Sequence, residues 1–277
     1  MNKDKILLID FMNLVHMANI KFGPSANNKL SFTIVYNFFR GLRAKIEEFN
    51  PTKIFLCCEG ANNFRYKLYS GYKANRLVKY GGSREAISED PVHLQANIII
   101  DLLKHLPVSI VKADTFEADD VVATLADNLK DEELIIISSD SDYTQLLQKS
   151  NIKNLKLYNP RTKSYISPPD YFYLIWKSIA GDKSDNIPGI ASNKIAMGAA
   201  KDPKKLEELL SSYEKNVNFR LNRELIELKV INGSQLEIVN GISNFDTLKS
   251  EFQKMEFSTF FKGDYWERFV NTFNCLS

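Results

Sequence analysis

The sequence predicts an α/β protein, with an open, doubly wound, mostly parallel sheet followed by a mostly helical C-terminal region. Three observations carry that prediction. Short runs of Ile, Val and Leu recur along the first 150 residues, helix-period stretches separate them, and past Pro160 helical segments take over, punctuated by Gly181, Pro188 and Gly189. Continuous apolar runs of this length suit strands buried on both faces. Their alternation with helices is the pattern of an open α/β sheet.

The first strand is expected at residues 5–9, reading Lys-Ile-Leu-Leu-Ile. A helix follows over 32–49, where Val35, Phe38, Phe39, Leu42 and Ile46 share one face. Further strands are expected at 53–57, 108–111 and 134–137, with helices over 91–106 and 118–129. Beyond them come a short strand near 155–158 and helices over 171–180, 204–213, 220–229 and 246–255. The pattern leaves strand order open. It divides the chain into an α/β core over 1–165 and a helical region over 166–277 packed on that core, with no repeat or long linker between them.

Composition narrows the class. Across 277 residues, 44% hydrophobic and 25% charged is ordinary for a globular chain, which can bury a sizeable core without disulfides. Three cysteines, with Cys57 and Cys58 adjacent, exclude a disulfide framework and a four-cysteine zinc site. They fit a reducing compartment, so a cytoplasmic protein is expected. The apolar run at 6–9 is too short for a signal sequence or a membrane span. A net charge of +2, from 36 basic and 34 acidic residues, argues at face value against nucleic acid as a partner.

The distribution of charge says otherwise. Residues 61–84 hold Arg65, Lys67, Lys73, Arg76, Lys79 and Arg84 with no acid, interleaved with Phe64, Tyr66, Tyr69, Tyr72 and Tyr80. Basic groups track a phosphate backbone and aromatic rings stack on unpaired bases. A solvated loop whose tyrosines pack on the core explains the stretch equally well.

The acids are distributed just as unevenly. Asp10 ends the first strand, Glu59 follows the second, and Asp140 and Asp142 follow the strand at 134–137. In an open α/β sheet the carboxyl ends of the strands form the ligand crevice. Glu117 and Asp120 share a face at a helix start, with Asp119 about 100° round. Asp182 and Asp185 lie three apart in Gly181-Asp182-Lys183-Ser184-Asp185. Any one of these has an ordinary explanation as a helix cap, a turn or a dipole partner. Together, without counter-charge, they would repel and raise one another's pKa values. Hard divalent cations with oxygen ligands resolve that conflict, and a two-ion site is the usual arrangement for phosphodiester hydrolysis. Setting aside these nine of the 34 acids leaves 25 against 36 bases, so the remaining surface is basic.

The motifs, in order, resemble the 5′-nuclease (flap endonuclease) superfamily, closest to its bacteriophage and bacterial exonuclease and ribonuclease H-like branch. They are Leu7-Leu8-Ile9-Asp10, Glu59 with Phe64-Arg65, Tyr72-Lys73-Ala74-Asn75-Arg76, Glu117-Ala118-Asp119-Asp120, Ser139-Asp140-Ser141-Asp142-Tyr143 and Gly181-Asp182-Lys183-Ser184-Asp185-Asn186-Ile187-Pro188-Gly189, with a weaker echo at Asn222-Arg223-Glu224-Leu225. The resemblance implies a PIN-like sheet and a 5′-3′ exonuclease and flap endonuclease on branched or nicked DNA. It extends to the RNA of RNA–DNA hybrids, for primer or flap removal in replication and repair. It implies two or more Mg²⁺ ions, with Mn²⁺ as substitute. One would be held around Asp10, Glu59, Glu117, Asp119 and Asp140, a second around Asp142, Asp182 and Asp185, and Asp120 would bridge or support. Lys73 would polarise the scissile phosphate with Arg76 and Arg65 in support, and Tyr72 would stack on a base. Residues 77–92 would form an arch for the 5′ single strand, with Gly81-Gly82 lending it mobility. Lys67, Lys79, Arg84, Lys183, Gly189 and Lys194 would contact nucleic acid. The implied protein is a monomer in a bacterial cytoplasm or a phage-infected cell, with a single-strand-binding protein or a sliding clamp as candidate partner and no membrane.

Two departures stand out. Glu59 occupies a position where the superfamily usually has aspartate. The helix-hairpin-helix loop reads Ile190-Ala191-Ser192-Asn193-Lys194, shorter and poorer in glycine, which weakens the case for duplex anchoring and for a K⁺ ion there. Competing readings are a PIN-like ribonuclease, a haloacid-dehalogenase-type phosphatase built on Asp140-Ser141-Asp142-Tyr143-Thr144, and a catalytically silent branched-DNA-binding protein.

Overall fold

In the computed structural model, which describes residues 3–19, 32–79 and 90–276, the apolar runs pair into one mixed seven-stranded sheet. β1 (Lys5–Asp10) lies at its centre, parallel to β2 (Lys53–Cys57) on one side and β4 (Glu133–Ile137) on the other. β3 (Ser109–Lys112) extends the sheet beyond β2, and β5 (Leu155–Asn159) extends it beyond β4. β6 (Ser164–Ile166) and β7 (Glu237–Asn240) add antiparallel edges, giving the order β6-β5-β4-β1-β2-β3-β7. The chain builds outward from β1 through β3, then crosses back to β4. The switch point between β1 and β4 opens a crevice at the carboxyl ends of these strands.

The alternation of side chains along β1 sorts the layers. Leu7 and Ile9 face α1 (Phe11–Ala18), α2 (Thr33–Phe49) and the later α5 (Pro91–Leu103), whereas Ile6 and Leu8 face α6 (Ala118–Asn128). α2 buries the predicted stripe of Val35, Phe38, Phe39, Leu42 and Ile46. α1 was not legible because it begins on the residue after β1, with no turn residues between, and Asp10 caps it by accepting from the Asn13 amide at 3.0 Å. Two short helices, α3 (Arg65–Leu68) and α4 (Ala74–Lys79), carry the basic stretch, and α7 (Thr144–Leu147) follows the acids after β4.

The chain past residue 165 is not one helical unit. α8 (Tyr173–Ala180), α9 (Asn193–Lys201), α10 (Pro203–Leu210) and α11 (Tyr213–Ile226) gather round Ile179, Ala196, Ala199 and Phe219 beside the crevice. β7, α12 (Phe245–Lys254) and α13 (Tyr265–Asn274) instead return to the sheet, where Leu248, Phe252, Phe260, Phe269 and Phe273 complete the core against α2. Phe39 and Phe252 meet with ring centroids 5.1 Å apart. β7 escaped the sequence reading because its four residues are all exposed and show no alternation. The helix expected over 220–229 stops at Ile226, where the backbone turns extended and offers the Leu225 and Glu227 carbonyls to Arg65 at 2.7 and 3.1 Å. The hairpin between α8 and α9 is shorter than the motif suggested, since Asn193 already opens α9. Asn222 fastens it by donating to the Ser178 and Pro188 carbonyls at 3.0 and 2.8 Å. Of the expected arch, residues 80–89, with Gly81-Gly82 and Arg84, lie outside the described residues.

The loop after α8 depends on Gly181. Its φ is +77°, and a Cβ there would fall 2.4 Å from the Gly189 amide and 2.5 Å from the Ile187 carbonyl. Asp182 and Ile187 exchange backbone hydrogen bonds of 2.9 and 2.7 Å across this turn. Gly181→Ala should therefore cost roughly 1–3 kcal/mol. Gly198→Ala, whose Cβ would meet nothing closer than 3.8 Å, should leave the melting temperature unchanged or slightly raised. Paired thermal denaturation curves check both.

Candidate active site

The strand ends deliver the acids to one place. Asp10, Glu59, Glu117, Asp119, Asp140, Asp142 and Asp185 line a cleft of about 550 Å³, with Lys73 and Arg76 also in its wall. Asp182 lines an adjoining pocket of about 280 Å³ that shares Asp140, Asp142 and Asp185 with it.

Around β1, Asp10 accepts from Asn13, from Ser138 Oγ at 3.2 Å and from Tyr143 OH at 3.3 Å. Burial, with Asp140 and Glu59 nearby, still lifts its pKa to about 6. At the start of α6, Glu117 accepts from Lys73, from Asn63 Nδ2 at 2.6 Å and from Tyr72 OH at 2.9 Å. Burial pushes Glu117 up, but Lys73 and Arg65 outweigh it and hold the carboxyl below the usual range. Asp119, next to Glu117 and Asp120, is raised well above it, chiefly by burial. Burial likewise works against the Lys73 charge, and Glu117 and Asp185 hold it on. Asp185 accepts from Arg76 at 2.6 Å and from Tyr72 OH at 3.2 Å.

On the third side, Lys177 of α8 bridges two acids, contacting Asp142 and reaching Asp182 Oδ2 at 2.7 Å. Tyr173 OH donates to Asp142 Oδ1 at 2.9 Å. Asp142 sits at about 6, raised by burial more than Lys177 lowers it. Lys177 with Ser184 brings Asp182 to about 2 against the pull of burial.

Two sequence expectations are corrected, for Arg65 and Tyr72, and of the two roles expected of Asp120 only the supporting one remains. Asp120 is fully buried and does not reach the cleft, because Arg65 grips both its oxygens at 2.5 and 2.8 Å and the Lys229 amide adds a third bond at 2.8 Å. Arg65 is itself 1% exposed, reaches Glu117 Oε2 at 3.5 Å and places its other donors on backbone carbonyls, so it faces no phosphate. Tyr72 is 2% exposed, packed against Ile187, Leu225 and Ile226, so its ring stacks on no base. Its hydroxyl instead ties Glu117 to Asp185. Lys67, Lys183, Gly189 and Lys194 are exposed, as nucleic-acid contacts require. Lys79 ends α4, and Arg84 lies outside the described residues.

Other cleft residues belong to no motif in the sequence. Lys177 could have been found as a lone cation inside the apolar helical run Leu-Ile-Trp-Lys-Ser-Ile, a placing that calls for a buried acid. Asn13 spans to Ser139 with bonds of 2.9 and 3.0 Å and fixes β1 against the loop after β4. His16 and His93, scattered in sequence, both line the cleft.

The donor set is all carboxylate, which suits a hard divalent cation. Among the described residues no three such side chains converge on one point as they stand, and Lys73 and Lys177 hold the acids as internal counter-ions. Lys177 fills the space between Asp142 and Asp182, the two acids that would hold an ion on this side. The raised Asp10 gives a signed prediction. Its pKa of about 6 exceeds the ordinary 3.8, so the metal-free fold binds a proton that the unfolded chain releases, and stability falls as pH rises from 4 through 6. Asp10→Asn should therefore stabilise the metal-free protein at pH 8 by about 1–3 kcal/mol and change nothing near pH 4. Melting curves in EDTA at both pH values check it.

Known proteins resemble this chain in sequence and in fold. Residues 5–171 match the family model for the 5′-3′ exonuclease N-terminal resolvase-like domain. The 5′-3′ exonuclease of Mycoplasmopsis pulmonis is 31% identical over 222 residues, 76% of this chain and 71% of that one. DNA polymerase I of Bacillus subtilis is 28% identical over 82% of this chain, which spans only 26% of that longer protein. In three dimensions the bacteriophage T5 flap endonuclease, solved with DNA and metal ions, superposes with a TM-score of 0.62 at 17% identity, covering 91% of this chain and 98% of that one.

Proposed function

The chain belongs to the 5′-3′ exonuclease family, and from that premise we propose that it is a divalent-metal-dependent 5′ nuclease that hydrolyses phosphodiester bonds at 5′ ends and flaps of branched or nicked DNA. One observation carries the reading. The acids at the carboxyl ends of β1, β2 and β4 share a single cleft with Lys73 and Arg76. A binder of nucleic acid alone gains nothing from carboxylates aimed at phosphate, whereas a hydrolase uses them to hold Mg²⁺ or Mn²⁺. Such ions, when bound, neutralise the phosphate and activate water.

The chain's own groups supply the rest. Asp10, Glu59, Asp119 and Asp140 offer oxygens on the β1 side, and Asp142, Asp182 and Asp185 on the α8 side. Lys73 and Arg76 receive the scissile phosphate and stabilise its developing charge. Tyr72 keeps Glu117 and Asp185 in register, and Asn13 holds Asp10 against the loop after β4. Lys183 and Lys194 fix the position of the duplex without reading its sequence. RNA in RNA–DNA hybrids offers the same phosphate backbone and is a second substrate.

A single assay tests the proposal. Flap, nicked, hybrid and single-stranded 5′-labelled substrates are incubated with Mg²⁺, with EDTA, and with Asp140→Asn protein. Release of 5′ products by Mg²⁺ alone is expected, with the variant at least roughly 10²-fold slower. No release from any substrate overturns the reading, and liberation of inorganic phosphate from small phosphoesters promotes the phosphatase in its place.

A further inference from the structure

We propose that Lys177 is a resident counter-ion that competes with a divalent cation for Asp142 and Asp182. The inference rests on the nuclease reading, because it concerns how the chain's own charge governs the ions that reading needs.

Lys177 is 7% exposed in α8, and its ammonium lies between two carboxylates. It contacts Asp142 Oδ1 and reaches Asp182 Oδ2 at 2.7 Å. The other Asp182 oxygen already accepts from the Ser184 amide and hydroxyl at 2.7 and 2.6 Å. The oxygen that Asp182 keeps for a cation is therefore the one Lys177 holds. Tyr173 OH donates to Asp142 Oδ1 at 2.9 Å, so both acids are fixed in direction. Among the described residues no other Lys or Arg forms an ion pair with either acid. Lys73 also binds carboxylates, but it lines the main cleft, where the phosphate is received. Lys177 lines the adjoining pocket with the two acids it bridges.

Like charges repel more strongly the less water lies between them. The ammonium cancels one of the two carboxylate charges and fills the space they share. Its effect on the acids has two sides. While no cation is bound, it keeps two buried carboxylates from standing unpaired. When a cation arrives, the same ammonium opposes it, and the pocket of about 280 Å³ gives the side chain room to swing aside. Lys177 thereby sets the ion concentration at which the α8 side of the site fills.

Lys177→Met should bind Mn²⁺ about 10- to 100-fold more tightly than the parent, read from the electron paramagnetic resonance of the free ion. Lys177→Arg keeps the charge and should stay within about threefold of the parent. Adding Asp182→Asn to Lys177→Met should abolish the gain, which places it at this pair of acids. Melting curves give a second readout. In EDTA Lys177→Met should melt below the parent, since both acids have lost their cation. In excess Mn²⁺ that gap should close or reverse, because tighter binding adds more stability to the variant. A lysine that only supports the fold would leave the same gap in both conditions. Lys177→Gln, which keeps a polar end, carries both measurements where Lys177→Met does not fold. Unchanged or weaker Mn²⁺ binding in the neutral variants, equal tightening in Lys177→Arg, or an equal melting gap with and without Mn²⁺ each overturns the inference. Where the parent cleaves DNA with Mn²⁺, those results overturn this inference alone. A parent that neither binds Mn²⁺ nor cleaves any of the DNAs removes the nuclease reading and this inference together.

Discussion

Lys73→Ala should lower turnover on saturating flap substrate by roughly 10²–10³-fold, while the dissociation constant for DNA changes only a few-fold. Lys73 is 8% exposed and lines the cleft, and its ammonium is held charged by Glu117 and Asp185. One buried cation adds little to a binding surface of many exposed lysines. Its placement matters where charge builds on the phosphate in the transition state, so its loss falls on kcat. Single-turnover kinetics with a parallel anisotropy titration separate the two quantities. Equal turnover in the variant would remove Lys73 from the chemistry. A fall in affinity as large as the fall in rate would make it an anchoring group.

Arg65→Met should cost about 3–5 kcal/mol of stability, the usual result of leaving a buried charge without its partner. Asp120 is 0% exposed, and Arg65 is its cation. The double variant Arg65→Met, Asp120→Leu should recover much of that loss, since removing both charges leaves no uncompensated ion. Denaturant titration of the two variants and the parent measures the effect. A phosphate-binding arginine would behave oppositely, keeping stability and losing rate, so the experiment separates the role expected from the motif from the one the fold gives it.

How far the sequence was legible follows from the range of each signal. β1 to β5 were readable because parallel strands covered on both sides leave unbroken apolar runs, and α2 because its stripe repeats with the helix period. The acids could be gathered into one site because strand ends in this architecture share a rim, which needs no knowledge of side-chain direction. Direction is what pattern does not carry. Asp119 and Asp120 are adjacent and chemically alike, yet one lines the cleft and the other turns into the core to meet Arg65. Tyr72 and Tyr66 belong to one aromatic stretch, but Ile187 and Leu225, more than 100 residues on, close over Tyr72 while Tyr66 remains in the cleft wall. The helix at 246–255 was readable, but β7, and the return of this segment to the sheet, were opaque for the same reason. Their partners lie at the other end of the chain, and a four-residue exposed edge strand carries no periodicity of its own.

The late return of the chain to the sheet sets a timetable for folding. Tyr36 of α2 bonds Thr259 at 2.5 Å across 223 positions of sequence, and Phe39 meets Phe252 in the same layer. At about 5–20 residues per second, synthesis leaves the aromatic face of α2 waiting roughly 10–45 s for its cover. During that interval a nascent chain displays Tyr36 and Phe39 to whatever else is nearby, and a ribosome halted before residue 250 releases a sheet with one layer unroofed. The expected consequence is a yield in the cell that depends on how fast the last segment arrives as well as on the stability of the finished fold.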